Sequence, residues 1–438
     1  MSSDTKVVEN SKIVVENSKN KKKVFVTGDI TDIDGCFGVT KYLTEGYDVI
    51  FIMNFPKYLS CTEPLTENSF GLGYNYSALD LLENVHKTKY LENPKYNSIY
   101  NYIIQNNNNN NLEETNIIVR NLLNEITFNM LMNIYKDIKG EKGQLYYHYK
   151  LHDKYFYNRM LPFHPNASKN EVHTYIDTLD NSDNFVSKIP NFTLDNLNGD
   201  DEIYFDFSGS MAFFDEEWEE EFNKYASNLN IKGVVIMGSI FSDVKAETIG
   251  PLANILNRLT CCTMNNLYDP KNTARFYEFV SGKEIFVVPN NQVKYLNDYN
   301  SEEFLSKTLK SFLEKNNIYN DSLYKYAKMY YTAARPTDRK PFDYYSALLL
   351  CTIIGEKESV SKTCLETQLY YDDEYGISLL NRDVNFITDK YYPEIPENIK
   401  KSLDEELAIV ESKTLKNITV KYANIVNNDN IIEIIRNT

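Results

Sequence analysis

The chain has 438 residues, 42% of them hydrophobic and 25% charged, with a formal net charge of -16 at pH 7. That length suits one large α/β domain or two smaller ones, and the apolar fraction is ample for a core. The acidic balance excludes a general nucleic-acid-binding surface, which needs a basic face, yet leaves room for a nucleotide-like small substrate.

Six cysteines, with no paired spacing beyond Cys261-Cys262, fit neither a disulfide framework nor a zinc site. No apolar stretch is long enough to span a membrane, and the N-terminus is polar where a signal peptide would be apolar. The expectation is therefore a cytoplasmic protein without a membrane partner. The 35 tyrosines against one tryptophan, together with an asparagine run at 106–111, follow AT-rich codons, as in some protists and large DNA viruses. A viral source would place the protein in host cytoplasm or virion.

Residues 1–20 carry the repeat Val7-Val-Glu-Asn-Ser-Lys12 and Val14-Val-Glu-Asn-Ser-Lys19. Two copies cannot build a solenoid, so a disordered tail is expected. From Lys21 the chain reads Lys-Lys-Lys-Val-Phe-Val-Thr-Gly-Asp29-Ile-Thr-Asp32-Ile-Asp34-Gly35. The β-branched run predicts a buried strand at 23–29, and 37–45 predicts a helix. Carboxylates just past a strand's carboxyl end sit where open α/β sheets place their ligands. Such crowding needs a positive partner or a shared proton, and a hard cation with oxygen ligands is the natural candidate. The same aspartates also fit a solvated turn that caps the next helix.

A second strand at 48–53 ends at Asn54-Phe-Pro56, completing a βαβ unit. Residues 60–200 read as an extended insertion or lid, with helical periodicity at 77–85 and 112–138. His148, His152, His164 and His173 all fall in this span and read as surface or half-buried side chains. Regular pattern resumes with strands at 202–207, 232–237 and 284–288. The acidic run 215–221 begins a helix with a solvated face. Residues 247–259 are helical, and Asp269-Pro270 opens a helix at 271–280. Helices dominate 301–331, Asp343 opens an apolar helix at 344–354, and the remainder mixes short strands with an amphipathic helix at 396–411. The domain reading is a tail at 1–20 and a single domain at 21–438 with the insertion at about 60–200.

The order of these motifs resembles the nucleoside hydrolases, calcium-dependent N-ribohydrolases, over residues 22–355. The family's first motif, Asp-x-Asp-Pro-Gly-x-Asp-Asp after a strand, aligns without gaps from Thr27 to Asp34. The resemblance implies a mostly parallel, Rossmann-like sheet flanked by helices, a Ca2+ cofactor and a small-molecule nucleoside as substrate, with a homo-oligomer left open. It assigns calcium to Asp29, Asp34 and Asp343, and the general-base role to Asp29. It assigns sugar contacts to Asn54 and Asn265, and Asp32 stands one residue from a third contact. Ile33, Thr263 and Phe342 replace the family's aspartate, glutamate and histidine, and the last removes the leaving-group acid. A backbone-carbonyl calcium ligand would fall near 208–212.

The chemistry suits these residues. Cleaving an N-glycosidic bond passes through an oxocarbenium-like state, which needs an activated water and held sugar hydroxyls. A carboxylate can take the proton, a bound cation lowers the water's pKa, and carboxamides both donate and accept. Two other readings stand beside this one. The replacements suit a catalytically inactive fold kept for a structural, virion or binding role. Asp32-x-Asp34-Gly35-Cys36, Ser239 and Asp372-Asp373 resemble haloacid-dehalogenase-type phosphatases. That alternative expects a nucleophile directly after its strand and a buried strand before Asp372, neither of which the sequence offers.

Overall fold

The computed structural model describes residues 21–29, 33–56, 143–152, 197, 199–211, 213–225, 229–241, 265–266, 269–289, 309–315, 317, 324, 342–374, 376–380, 408 and 412–423. Among them run β1 (Lys22–Asp29), α1 (Ile33–Thr44), β2 (Asp48–Pro56), β3 (Leu145–His152), β4 (Glu202–Phe207) and α2 (Glu216–Tyr225). Then follow β5 (Asn230–Met237), β6 (Ile240–Phe241), α3 (Pro270–Phe279), β7 (Ile285–Val288) and α4 (Lys310–Lys315). The last are α5 (Phe342–Thr363), β8 (Leu365–Tyr371), β9 (Ser378–Leu380) and β10 (Lys416–Tyr422).

These strands form one sheet in the order β3-β2-β1-β4-β5-β7-β10-β8-β9-β6. The five strands expected from sequence are β1, β2, β4, β5 and β7, and they lie side by side, all parallel. The fold is mixed α/β with helices on a central, mostly parallel sheet, as expected. Near-continuous apolar runs give these strands their place, because a parallel sheet is covered on both faces. β8 alone reverses, pairing antiparallel with both β10 and β9.

Three boundaries differ from the sequence reading. α1 begins at Ile33, ahead of the expected 37, which places residue 34 in its first turn. Acidic residues suit that end of a helix dipole. α5 runs to Thr363, well past the expected 354. Leu145–His152, read as part of the insertion, is a sheet strand parallel to β2. The tail at 1–20, the run at 106–111 and the helices at 77–85, 112–138 and 247–259 lie outside the described residues.

The lysines at the amino-terminal end of β1 find partners there. Lys21 pairs with Asp48 at 3.3 Å, and Lys22 lies over the Tyr47 ring. Lys23 and Asp201 are both buried and meet at 2.8 Å. Removing one member of a buried pair strands the other charge, at a cost of about 3–5 kcal/mol.

Strand alternation divides the core into two layers. On one face Phe25, Phe205 and Phe207 join Phe213, Phe214, Trp218, Phe222 and Phe276, from α2, α3 and the loop before α2. The rings meet mostly edge to face or tilted, as the aromatic quadrupole favours. Phe276, for example, lies 4.3 Å from Phe207 and 5.5 Å from Phe205, both T-shaped. Outside this layer Arg275 bridges α3 to Glu216 and Glu219 of α2 at 2.8 and 2.9 Å. Lys271 of α3 also reaches Glu216, at 3.7 Å, so the acidic run is a solvated face, as expected, with two cations drawn across it. α1 and α5 cover the opposite face.

Phe276 is fully buried at the centre of the aromatic layer. Phe276→Ala should lower the unfolding free energy by about 3–5 kcal/mol, lost transfer energy plus cavity. Urea unfolding followed by circular dichroism measures it, and a loss under about 1 kcal/mol would show that this layer is not close-packed.

Candidate active site

Parallel pairing brings the carboxyl ends of β2, β1, β4 and β5 to one edge. Asp29 ends β1 and is the register partner of Asn54 on β2. On the other flank, the Gly209 amide donates to the Thr27 carbonyl at 3.0 Å, so the turn after β4 lies against the end of β1. Asn265 closes the row. Its Nδ2 donates to the carbonyls of Ser208 at 2.5 Å and Met237 at 3.3 Å, tying the ends of β4 and β5 together. Among the described residues its Oδ1 has no donor.

The fourth contribution comes from α5. Asp343 lies in its first turn and is buried. A methyl group on Gly35 would stand 2.9 Å from Oδ2 of Asp343. Only a residue without a side chain leaves the Asp343 carboxylate this place against the first turn of α1. One turn on, a methyl on Gly38 would meet Ala347 Cβ at 3.3 Å, so the two helices cross closely.

The expected site residues are thus placed as follows. Asp29 and Asn54 are neighbours across β1 and β2, residue 34 precedes Gly35 in α1, and Asp343 reaches that same turn. Asn265 stands two strands away, at the ends of β4 and β5. The side chains of Asp29, Asp34, Asn54, His148, His152 and Phe342 lie outside the described residues, as do Asp32, His164, His173 and Thr263 altogether. Of the three carboxylates that the resemblance assigns to calcium, the described side chains place that of Asp343, and its oxygens are the hard donors such a cation takes. The cradle at Gly35 leaves space for that carboxylate.

The phosphatase constellation is used otherwise. The expectation that no buried strand precedes Asp372 is corrected, because β8 ends at Tyr371 with Leu369 and Tyr371 in the core. Asp372, however, accepts from the Ile377 amide at 2.8 Å and closes the β8–β9 turn. Asp373 is exposed beside Lys416, and Ser239 is fully buried against Ser378 at 3.0 Å. Four strands separate β1 from β8.

Sequence reading missed Asp206. It occupies the alternate face of β4, between Phe205 and Phe207, and is buried. Three hydroxyls donate to it: Tyr42 of α1 to Oδ2 at 2.5 Å, Ser208 to Oδ1 at 3.1 Å, and Ser346 of α5 to Oδ1. Burial raises its pKa and the hydrogen bonds from Ser346, Tyr42 and Ser208 pull it partway back, leaving it at about 6. Tyr42 is raised in turn, by its own burial and then by the Asp206 charge. An ionisable residue inside an otherwise apolar strand was the available signal.

No protein-family model and no curated protein matches the chain. Among solved structures, two nucleoside hydrolases are similar to it. An inosine-uridine preferring nucleoside hydrolase from Bacillus anthracis aligns over 95% of this chain and 98% of its own, at 12% identity and TM-score 0.39. A plant nucleoside hydrolase aligns over 94% and 97%, at 10% identity and TM-score 0.41.

Asp206 makes stability depend on pH in a defined direction. Its folded pKa of about 6 lies above the ordinary carboxyl value of 3.8, so between the two the folded state binds more protons. Stability from this group is therefore greatest at low pH and is lost as pH rises through that window, by ~3 kcal/mol. Unfolding free energies of the wild type and Asp206→Asn, measured from pH 4 to 7, should diverge by that amount. A constant difference would show that the carboxyl titrates normally.

Proposed function

We propose that this chain is a nucleoside hydrolase that cleaves the N-glycosidic bond of a ribonucleoside, with calcium held by Asp29, Asp34 and Asp343. The observation that carries the reading is the Asp343 carboxylate lying against Gly35. It joins the first turns of two helices far apart in sequence, next to the strand that ends in Asp29.

In this reading Asp29 accepts the proton of the attacking water as its oxygen bonds to the anomeric carbon and the bond to the base nitrogen breaks. Calcium, when bound, supplies the positive charge that eases loss of that proton. Asn54 and Asp32 hold ribose hydroxyls, and Asn265 accepts from one through Oδ1. With Phe342 in place of a proton donor, the departing base nitrogen takes its proton from solvent. A soluble nucleoside is the substrate, and no described helix is long and apolar enough to cross a membrane.

The Phe342 replacement also favours a second reading: a ligand-binding scaffold that keeps the metal and the sugar contacts without turnover. A panel of ribonucleosides incubated with and without Ca2+ and assayed for free ribose separates the two. Ribose release that needs calcium supports the enzyme, and bound calcium without release supports the scaffold. In titration calorimetry Asp343→Ala should abolish calcium binding, while Asp32→Ala should retain it. Asp29→Ala should remove ribose release, a loss of at least ~10²-fold for a missing general base. A wild-type protein that takes up no calcium would overturn both readings.

A further inference from the structure

We infer that Asp206 is a positioning residue for Asp343: through Ser346 and Tyr42 its carboxylate fixes the setting of α5 against α1, and with it the approach of residues 34 and 343. The inference rests on the calcium reading above.

The geometry divides the two oxygens between the two helices. Oδ1 receives Ser346 of α5, and Oδ2 receives Tyr42 of α1 at 2.5 Å. Ser346 stands three residues after Asp343, on the same face and ~4.5 Å further along the axis. Tyr42 stands seven residues after Gly35, again on the same face. One helix therefore carries Asp343 then Ser346, the other Gly35 then Tyr42, and the contact between Asp343 and Gly35 lies above a carboxylate that grips both.

Turning or sliding either helix would break a hydrogen bond to a buried, charge-bearing acceptor, the stronger class of such bonds. Apolar packing alone would hold the helices together without fixing their register so narrowly. Ser208 completes the grip from the end of β4, where Asn265 also attaches. The same carboxylate thus sets two helices and the turn beside β1.

The test is calcium affinity by titration calorimetry on the full chain. Ser346→Ala should bind calcium about tenfold more weakly, the effect typical of lost support behind a metal ligand. Tyr42→Phe, which removes a single oxygen, should act in the same direction and serves if Ser346→Ala does not fold. Phe276→Leu, on the opposite face of the sheet, should lower unfolding free energy yet bind calcium like the wild type. Ser346→Ala and Tyr42→Phe binding like the wild type would overturn the inference alone. A Phe276→Leu variant weakened equally would overturn it too, since any loss of stability would then suffice. A wild type that binds no calcium would overturn the calcium reading itself and the inference with it.

Discussion

Parallel pairing of β1 with both β2 and β4 is the constraint from which the site follows. Strands that run the same way must return through crossovers, and every carboxyl end then falls on one edge. That edge receives Asp29, Asn54, the turn at Ser208 and Asn265 without any of them choosing its neighbours. The lysines at the other end of β1 have no part in this. Their pairing with Asp48 and Asp201 fixes the amino-terminal edge, so the two ends of one strand carry opposite charge for separate reasons.

A sheet edge alone would leave the helices free to settle by apolar contact. What limits them here is polar. α1 and α5 cross where Gly35 and Gly38 remove side chains, and both donate a hydroxyl to the same buried carboxylate. Close approach and directional bonding act together: the first permits the contact, and the second selects one register from those that permit it. Burying a charge is costly, and placing it under the helix pair concentrates that cost where geometry matters.

Much of the fold was legible in the sequence because parallel strands are continuous apolar runs. Val-Phe-Val at 24–26 and Val-Val-Ile at 234–236 need no partner to be recognised as strands. β3 was missed for the opposite reason: Leu-Tyr-Tyr-His-Tyr-Lys-Leu-His at an edge is polar enough to pass for a connection. The start of α1 was missed because a run of aspartates reads equally as loop and as first turn. Of the candidate site residues, Asp29, Asn54 and Asp343 drew notice by their places near the ends of elements. Asp206 did not, since nothing local tells that its strand position faces hydroxyls from two distant helices. Those partners are fixed by tertiary structure alone.

The single tryptophan of the chain gives the two faces of the sheet different optical properties. Trp218 is nearly buried, with Phe213 at 5.1 Å and Phe222 at 5.4 Å. Its indole therefore emits from an apolar layer that the sheet separates from α1 and α5. Intrinsic fluorescence reports whether that aromatic layer is intact. It is silent about the helix pair across the sheet, whose rearrangement has to be followed by a label placed there.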